Sequence, residues 1–253
     1  GFLYIRDVAD RTHSRLDPSS LVLAAFAFGG LVYGLSSIGE AARHTPVVPP
    51  AVPLALGVLA LAAFAWRQIV LQREDRALLD LRVFTHRGFS VPLGIMAVGM
   101  VAMFGSLILL PLFLQDAMGL EPLATGLIVL PGGLLMGLLG PTVGRLYDRV
   151  GPRPLVIPGV SVVAVALAAF TTIHADSSPW FVLALHVTLS LGLAFMFTPL
   201  FTTALSALEP HQYSHGSASI GTVQQLAGAA GTAMFVAVMT SRSIAYGEAG
   251  ATS

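Results

Sequence analysis

A ten-residue stretch from Gly144 to Arg153 carries the most specific arrangement of charges and glycines in this sequence. Gly144 and Gly151 favour sharp turns, because glycine adopts backbone angles that are closed to other residues. The Asp148 carboxylate would pair favourably with the N-terminus of a neighbouring helix, an interaction of about 0.3–1 kcal/mol at an exposed site. Arg149 and Arg153 would bind the anionic headgroups of a membrane leaflet. Taken alone, this stretch predicts a tight turn that joins two helices and anchors them at a membrane surface.

A second group of polar and small residues follows one side of a predicted helix near the C-terminal end. At 100° per residue its members fall within an arc of about 120°. They are Ser217, Gly221, Gln224, Gln225, Gly228, Gly231 and Thr232. In one interpretation the glycines allow close helix packing while the glutamines bond across an interface. In the other interpretation, Gln224 and Gln225 line an aqueous cavity, since polar side chains in the middle of a membrane-spanning helix avoid lipid. We expect Gly228 and Gly231 to pack and one glutamine to line the cavity.

One histidine and a series of methionines, which lie in apolar parts of the sequence, each allow a functional and a structural interpretation. His186 is the only histidine inside a predicted span, and the ordinary pKa of histidine, about 6.5, suits proton sensing. A neutral histidine that is hydrogen-bonded between helices is the favoured interpretation. Met96, Met100 and Met103 recur at helical spacing. Such a flexible stripe suits lipophilic ligands, although ordinary packing is its more frequent role.

The surroundings of these residues are unusually apolar. The 253 residues are 55% hydrophobic and 10% charged, with a mean hydropathy of +0.80. An ordinary soluble domain carries about 25% charged residues, so the composition predicts a polytopic membrane protein. The formal net charge of zero gives no electrostatic footprint for nucleic acid. The lack of cysteine excludes thiolate metal sites, and we expect neither a metal nor a cofactor.

Seven apolar stretches predict about seven transmembrane helices, each close to the roughly 20 residues that cross a bilayer. They run approximately over 20–38, 51–71, 89–114, 123–143, 154–173, 180–207 and 217–240. The predicted fold class is therefore an all-α polytopic membrane protein. In the fourth stretch, Gly133 and Gly137 lie four residues apart, and the same spacing separates Gly140 from Gly144, which directly follows the stretch. This spacing predicts close helix packing.

The arginines predict the orientation of these helices. One set of alternate loops holds eleven of them, Arg6, Arg11, Arg15, Arg67, Arg73, Arg76, Arg82, Arg87, Arg145, Arg149 and Arg153, and the opposite set holds Arg43 and Arg242. Because cytoplasmic loops carry the excess of basic residues, we expect the N-terminal end of this chain to be cytoplasmic and the C-terminal end external.

The same pattern divides the chain into five segments. They are a cytoplasmic segment 1–19, a helix pair 20–71, a cytoplasmic link 72–88, a five-helix lobe 89–240 and an extracytoplasmic tail 241–253. The link is either an amphipathic segment lying on the membrane surface or a solvated connector.

The spacing G-x-L-x-D-R-x-G-x-R resembles the hallmark loop of the major facilitator superfamily. The matching residues are Gly144, Leu146, Asp148, Arg149, Gly151 and Arg153. The stretches 110–115, 119–120, 122–127 and 130–132 resemble the C-terminal half of the fourteen-helix drug:proton antiporters. The segments 215–218 and 228–233, together with Thr222, Gln224 and Gln225, are similar to the branch that exports lincomycin and other drugs. Gly221 departs from that branch, which usually has asparagine there.

The resemblance implies an architecture, a role and a location in a bacterial inner membrane for this chain. The first two helices correspond to the pair between the two six-helix lobes, and the next five to most of the C-terminal lobe. We therefore expect a fragment that lacks the N-terminal lobe, the final helix and the acid that couples proton movement to export. Its partners would be the lipid bilayer, amphipathic drug-like molecules, protons and the missing lobe, with no nucleic acid.

The implied site consists of a gating segment and a cavity wall. The gating segment comprises the six matching residues of the hallmark loop, and Asp148 would hold one conformer closed against a helix end of the missing lobe. Candidate cavity residues are Gln115, Met103, His186, Gln224 and Gln225. The alternatives are an uptake carrier of the same superfamily and, more remotely, an intramembrane enzyme. We expect no enzyme, because the predicted spans lack clustered acids, bases and nucleophiles.

Overall fold

The computed structural model describes residues 17–41, 48–73 and 77–251. These residues form seven α-helices and no strand, which confirms the predicted fold class. The helices are α1 (Pro18–Ala41), α2 (Ala51–Gln72), α3 (Arg87–Leu112), α4 (Pro122–Val150), α5 (Arg153–Phe170), α6 (Pro179–Ser206) and α7 (Tyr213–Ala251). Arg6, Arg11, Arg15, Arg43 and Arg76, which contribute to the predicted orientation, lie outside the described residues.

Six of the seven helices, α1 to α6, are long and apolar enough to cross a membrane. Prolines support several helix starts, since Pro122, Pro154 and Pro179 stand in first turns, where no backbone N–H is needed. The helix α7 carries a larger share of polar residues than the other six. It continues through Ala251, so residues 241–251 form its last turns.

Two helix pairs cross with their backbones in direct contact. A Cβ atom on Gly30 of α1 would lie 2.9 Å from the Cα atom of Gly57 in α2. Likewise, a Cβ atom on Gly159 of α5 would lie 3.1 Å from the carbonyl oxygen of Gly192 in α6. Small residues allow helices in a membrane to approach this closely, so these glycines fix both crossings.

The main core is centred on α6. This helix packs against α3, α4 and α5, and half of its apolar span is buried, compared with 11% for α4. Phe89 and Met96 of α3 pack in this core with Leu193 and Phe197 of α6. The helix α7 packs on α3 and α1. The helices α3 and α6 therefore form the interior, and α4 presents most of its surface outward.

The link between α2 and α3 is anchored in the protein. A short 3-10 helix, Leu81–Thr85, occupies its centre. Val83 is fully buried in the main core, and Asp80 is 5% exposed. Both side chains are therefore packed against protein. In a freely solvated connector, or in a segment lying wholly on a membrane surface, they would not be buried in this way.

Candidate functional site

The segment predicted as a tight turn from Gly144 to Arg153 is mostly helical. The helix α4 continues through Val150, and the turn itself consists of Gly151 and Pro152. Gly151 has a φ of +76°, a value that favours glycine and ends the helix. Gly144 lies inside the helix, where glycine costs only about 1 kcal/mol relative to alanine. The predicted end of the fourth helix, at residue 143, was therefore wrong by seven residues. The reason is that Gly144, which a helix tolerates, was interpreted as the start of the turn.

The helical end of α4 holds the charged residues of this segment at the protein surface. Asp148, Arg149 and Arg153 are exposed, and Asp148 forms no hydrogen bond or ion pair with another described residue. Thr203 of α6 donates a hydrogen bond to the Tyr147 hydroxyl, with an oxygen–oxygen distance of 3.3 Å. This bond fastens the end of α4 to α6 and leaves the adjacent Asp148 carboxylate accessible. The helix N-terminus predicted as its partner is not found among the described residues.

The predicted packing at Gly133, Gly137 and Gly140 is also not found within the described chain. Apart from neighbours along α4 itself, no described heavy atom lies within 4 Å of a Cβ atom placed on any of them. The neighbouring residue Gly132 makes the close contact instead, because a Cβ atom there would lie 2.5 Å from Ser190 Oγ. The buried side of α4 thus lies about 100° around the helix axis from the side that was predicted to pack, which is the rotation per residue in an α-helix.

His186 is a buried contact between α6 and α4. Its Nε2 atom donates a hydrogen bond to the backbone carbonyl of Val129, at 3.2 Å, and its side chain is 8% exposed. Its Nδ1 atom has no hydrogen-bond partner among the described residues. A proton on Nε2 fits the neutral imidazole favoured from the sequence. This geometry supports a positioning role between helices.

Some of the small and polar residues along one side of α7 pack on α3, and others are exposed. A Cβ atom on Gly228 would lie 3.0 Å from the Phe104 ring, and one on Gly231 would lie 2.7 Å from the carbonyl oxygen of Val101. Both glycines therefore pack on α3. Gln224 is partly buried and Gln225 is exposed.

The remaining candidates lie apart from these groups. Met103 packs against the main core, and Gln115 is exposed in a π-helical turn, Phe113–Ala117, that continues α3. None of the five candidate cavity residues lines the cleft of about 640 Å³ at this end of α3. That cleft, which sequence reasoning missed, lies between α3, the π-helical turn, α5 and Phe235 of α7. Its one sequence signal is Asp116 within an apolar run.

A polar network at the other end of the bundle was also missed. The fully buried side chain of Gln68 donates a hydrogen bond to Ser20 Oγ at 2.9 Å and accepts one from the backbone N–H of Leu79 at 3.0 Å. The backbone N–H of Asp80 donates to Nδ1 of His215 at 3.3 Å. The network thus joins α1, α2, the link and the start of α7.

Two ion pairs flank this network. Arg67 of α2 contacts Asp17, which precedes α1, with a nitrogen–oxygen distance of 2.6 Å. Hydrogen bonds from Arg67, and then from Ser20, hold the pKa of Asp17 well below its usual range. For Asp80, burial raises the pKa, but hydrogen bonds and charge from Arg82 lower it to a value below the usual one. Asp17 and Asp80 are therefore held in their charged form.

Comparisons with known proteins place this arrangement in a family. The profile of the Major Facilitator Superfamily matches residues 19–232. A lincomycin resistance protein of Listeria monocytogenes is 37% identical over 98% of this chain and 52% of its own length. The lincomycin resistance protein of Bacillus subtilis is 34% identical over 94% of this chain and 49% of its own length.

A multidrug resistance protein B homolog of Mycobacterium tuberculosis is more distant. It is 32% identical over 86% of this chain and 39% of its own length. This chain spans about half the length of the first two relatives, and no solved structure matches it significantly. With a profile match over most of the residues and apolar helices that suit a lipid environment, the chain is a multi-pass membrane protein that belongs to the major facilitator superfamily.

Proposed function

We propose that this chain forms part of a transporter that exports amphipathic drugs in exchange for protons. The observation that carries the proposal is the similarity of nearly the whole chain to proteins named for lincomycin and multidrug resistance. Alternating access would come from the rocking of two helical lobes around a site at the membrane midplane. The described helices would provide one side of that site.

The open surface of α4 supports a role as the contact between lobes. The glycines at positions 126, 133, 137, 140 and 144 fall within an arc of about 60°. Apart from neighbours along α4 itself, no described atom lies within 4 Å of a Cβ atom on any of them. A second helix could approach such a face closely. Asp148 lies near the same face at the helix end, where its charge would meet the N-terminus of an opposing helix. This contact would hold one conformer of the transporter closed.

The arc on α7 supports a wall of the substrate cavity. Gly228 and Gly231 hold α7 on α3, and the arc beyond them is open: Gly221 has no described atom within 4 Å of a Cβ position, and Gln225 is exposed. Amide side chains at this depth would be satisfied by water or by a polar substrate group. We expect Gln224 and Gln225 to contact substrate, and Met103 and His186 to act through packing.

The proton would be carried elsewhere in the transporter. None of the acidic residues lies inside a span predicted from the sequence, whereas proton coupling needs a carboxylate buried in the membrane. The arginine distribution supports an orientation with the Asp148 end in the cytoplasm.

The experiment measures drug accumulation in cells that express the full-length protein, with and without an uncoupler. Export predicts low intracellular drug that rises when the proton gradient collapses, and an uptake carrier predicts the reverse. Asp148→Asn should impair transport at normal membrane levels. Asp176→Asn, an exposed acid at the other end of the bundle, serves as the matched control. Wild-type resistance with Asp148→Asn would refute the gating role.

A further inference from the structure

We propose that Gln68 of α2 and His215 of α7 are positioning residues that hold the start of α7 in place through the link between α2 and α3. Neither residue belongs to the gating segment or to the five cavity candidates. The start of α7 leads into the part of the helix that carries Gln224 and Gln225. The role of α7 as a wall of the cavity comes from the proposed function, on which this part of the proposal rests.

Two consecutive backbone N–H groups of the link are bound by side chains from different helices. The N–H of Leu79 donates to Oε1 of Gln68 at 3.0 Å. The N–H of Asp80 donates to Nδ1 of His215 at 3.3 Å. A backbone N–H that is removed from water is rarely left without a partner. The link is therefore bonded to α2 at one residue and to α7 at the next.

The link can transmit a position because its backbone is held on both sides of the Asp80 N–H. On one side, Gln68 is fully buried, and its amide also donates to Ser20 Oγ of α1 at 2.9 Å. On the other side, the Asp80 carboxylate accepts a hydrogen bond from the backbone N–H of Arg82 at 2.9 Å and caps the short 3-10 helix. The Asp80 N–H is thus presented to α7 by a constrained segment.

The first turns of α7 are packed closely around His215. A Cβ atom on Gly216 would overlap the side chain of Leu208, and it would lie 3.4 Å from the ring of Phe89 in α3. Ser219 is 1% exposed, and its hydroxyl donates to the backbone carbonyl of His215 at 2.8 Å. A change in the position of His215 would therefore be felt by the turns that follow it.

The helix α7 is held at two levels, with the two glutamines between them. His215 is bonded to the link at the first level, and Gly228 and Gly231 pack on α3 at the second. Gln224 lies nine residues after His215, which is about 14 Å along the helix axis. Releasing the bond at His215 would allow the start of α7 to tilt about the glycine contacts. Such a tilt would displace Gln224 and Gln225.

The reaction rate of a buried cysteine measures how often the start of α7 opens. Because this chain has no cysteine, Ser219→Cys can be labelled with a maleimide in the full-length protein, in a background free of other cysteines and in lipid nanodiscs. Ser219 is 1% exposed, so labelling there requires local opening. The matched control is Ser37→Cys. Ser37 is 3% exposed and lies near the end of α1 that is away from the link.

Two substitutions of His215 test the bond to the link. His215→Ala removes the acceptor and should raise the labelling rate at position 219 about two- to tenfold, the factor expected for one lost hydrogen bond. His215→Asn should restore the wild-type rate. Its Oδ1 atom accepts hydrogen bonds and is the same number of bonds from Cβ as Nδ1 of histidine. Neither change should alter the labelling rate at position 37.

Gln68→Met tests whether α2 acts on α7 through the link. The change keeps a side chain of similar length and removes the bonds to Ser20 and Leu79. It should raise the labelling rate at position 219, although α2 itself packs on α1 and on the link. In a His215→Ala background it should add little, because the bond that transmits its effect is already lost. Gln72→Met, one turn further along α2, is the control, since Gln72 Nε2 has no hydrogen-bond partner among the described residues.

Any of four results would overturn the proposal. They are an unchanged rate at position 219 in His215→Ala, an equal rise at positions 219 and 37, a rate for His215→Asn as high as that for His215→Ala, and equal rates for Gln68→Met and Gln72→Met. If His215→Ala does not elute as a monodisperse species, the two glutamine variants decide.

The labelling assay separates this proposal from the proposed function, because it needs neither a drug nor a proton gradient. The expected labelling rates in a protein that exports no drug would refute the export function alone. Normal export with unchanged labelling rates in the His215 and Gln68 variants would refute the positioning role alone.

Discussion

Replacing Gly132 by alanine tests the contact between α4 and α6. A Cβ atom at this position would lie 2.5 Å from Ser190 Oγ and 2.6 Å from His186 Nε2. Ordinary contact begins near 3.4 Å. The two side chains of α6 must therefore retreat by about 0.8–0.9 Å, or the helices must separate by a similar amount.

The cost of this displacement follows from the contacts that it breaks. Overpacking a close-packed interface costs about 1–3 kcal/mol. The hydrogen bond from His186 Nε2 to the Val129 carbonyl, already 3.2 Å long, would exceed bonding distance, a further loss of about 0.5–1.5 kcal/mol. Alanine regains about 1 kcal/mol of helix propensity over glycine. The expected net loss in the free energy of unfolding is about 0.5–3.5 kcal/mol.

The matched control is Gly94→Ala in α3. It makes the same chemical change at an exposed position inside a helix, and apart from neighbours along α3 no described heavy atom lies within 4 Å of its Cβ position. Its expected effect is a gain of up to about 1 kcal/mol. Unfolding of the full-length protein in mixed micelles of dodecyl maltoside and sodium dodecyl sulfate gives both free energies.

A double-mutant cycle attributes the loss to His186. Gly132→Ala should cost less in a His186→Ala background than in the wild type, because the truncated side chain leaves room for the new methyl group. Equal unfolding free energies for Gly132→Ala and Gly94→Ala would refute the reasoning, since they would mean that the side of α4 at Gly132 is as open as the exposed side of α3.

Three further results are expected. Gly192→Ala should lower the free energy of unfolding by about 1–3 kcal/mol, because its Cβ atom would lie 2.9 Å from the backbone nitrogen of Val163; an unchanged unfolding curve would contradict the α5–α6 crossing. Asp80→Asn should destabilise the protein more at pH 7 than at pH 3 in the same unfolding assay. The folded pKa of Asp80 is lowered by Arg82 against the effect of burial, so its contribution is full above the unfolded pKa of about 4 and is lost as the pH falls through the folded pKa. His186→Ala should change drug transport less than twofold, and a loss of more than tenfold at normal membrane levels would assign His186 a direct role.

The existence and approximate position of the helices could be predicted because bilayer thickness constrains both length and composition. A stretch of about 20 apolar residues is needed for a span, and six helices meet this condition. The family could also be inferred, since the spacing from Gly144 to Arg153 is unusual. These properties are local in the sequence and need no knowledge of which helices touch.

The rotation of each helix could not be predicted in the same way. In a soluble helix the polar side identifies the exposed surface, but a spanning helix is apolar all round. The glycines of α4 therefore indicated an interface without indicating its partner. Gly132 faces α6, whereas Gly133 and Gly137 face away from every described helix.

Contacts between distant residues were equally hidden. The hydrogen bond from the Asp80 N–H to His215 joins residues 135 positions apart, and the ring of Phe235 packs over Gly105. Neither pair shows a local pattern of charge or spacing. The polar network around Asp80 and the cleft beside the π-helical turn both depend on such pairs. They can therefore be recognised only once the packing of the helices is known.

The contacts of α4 determine how a force at its exposed end would be transmitted. The bond between Tyr147 and Thr203 and the close approach of Gly132 to Ser190 fasten α4 to α6 at two levels. The backbone contact between Gly159 and Gly192 fastens α5 to α6 in turn. A partner that binds or releases Asp148 would therefore move α4, α5 and α6 as one body rather than bend α4 alone. Such stiffness is what alternating access by rigid rocking requires.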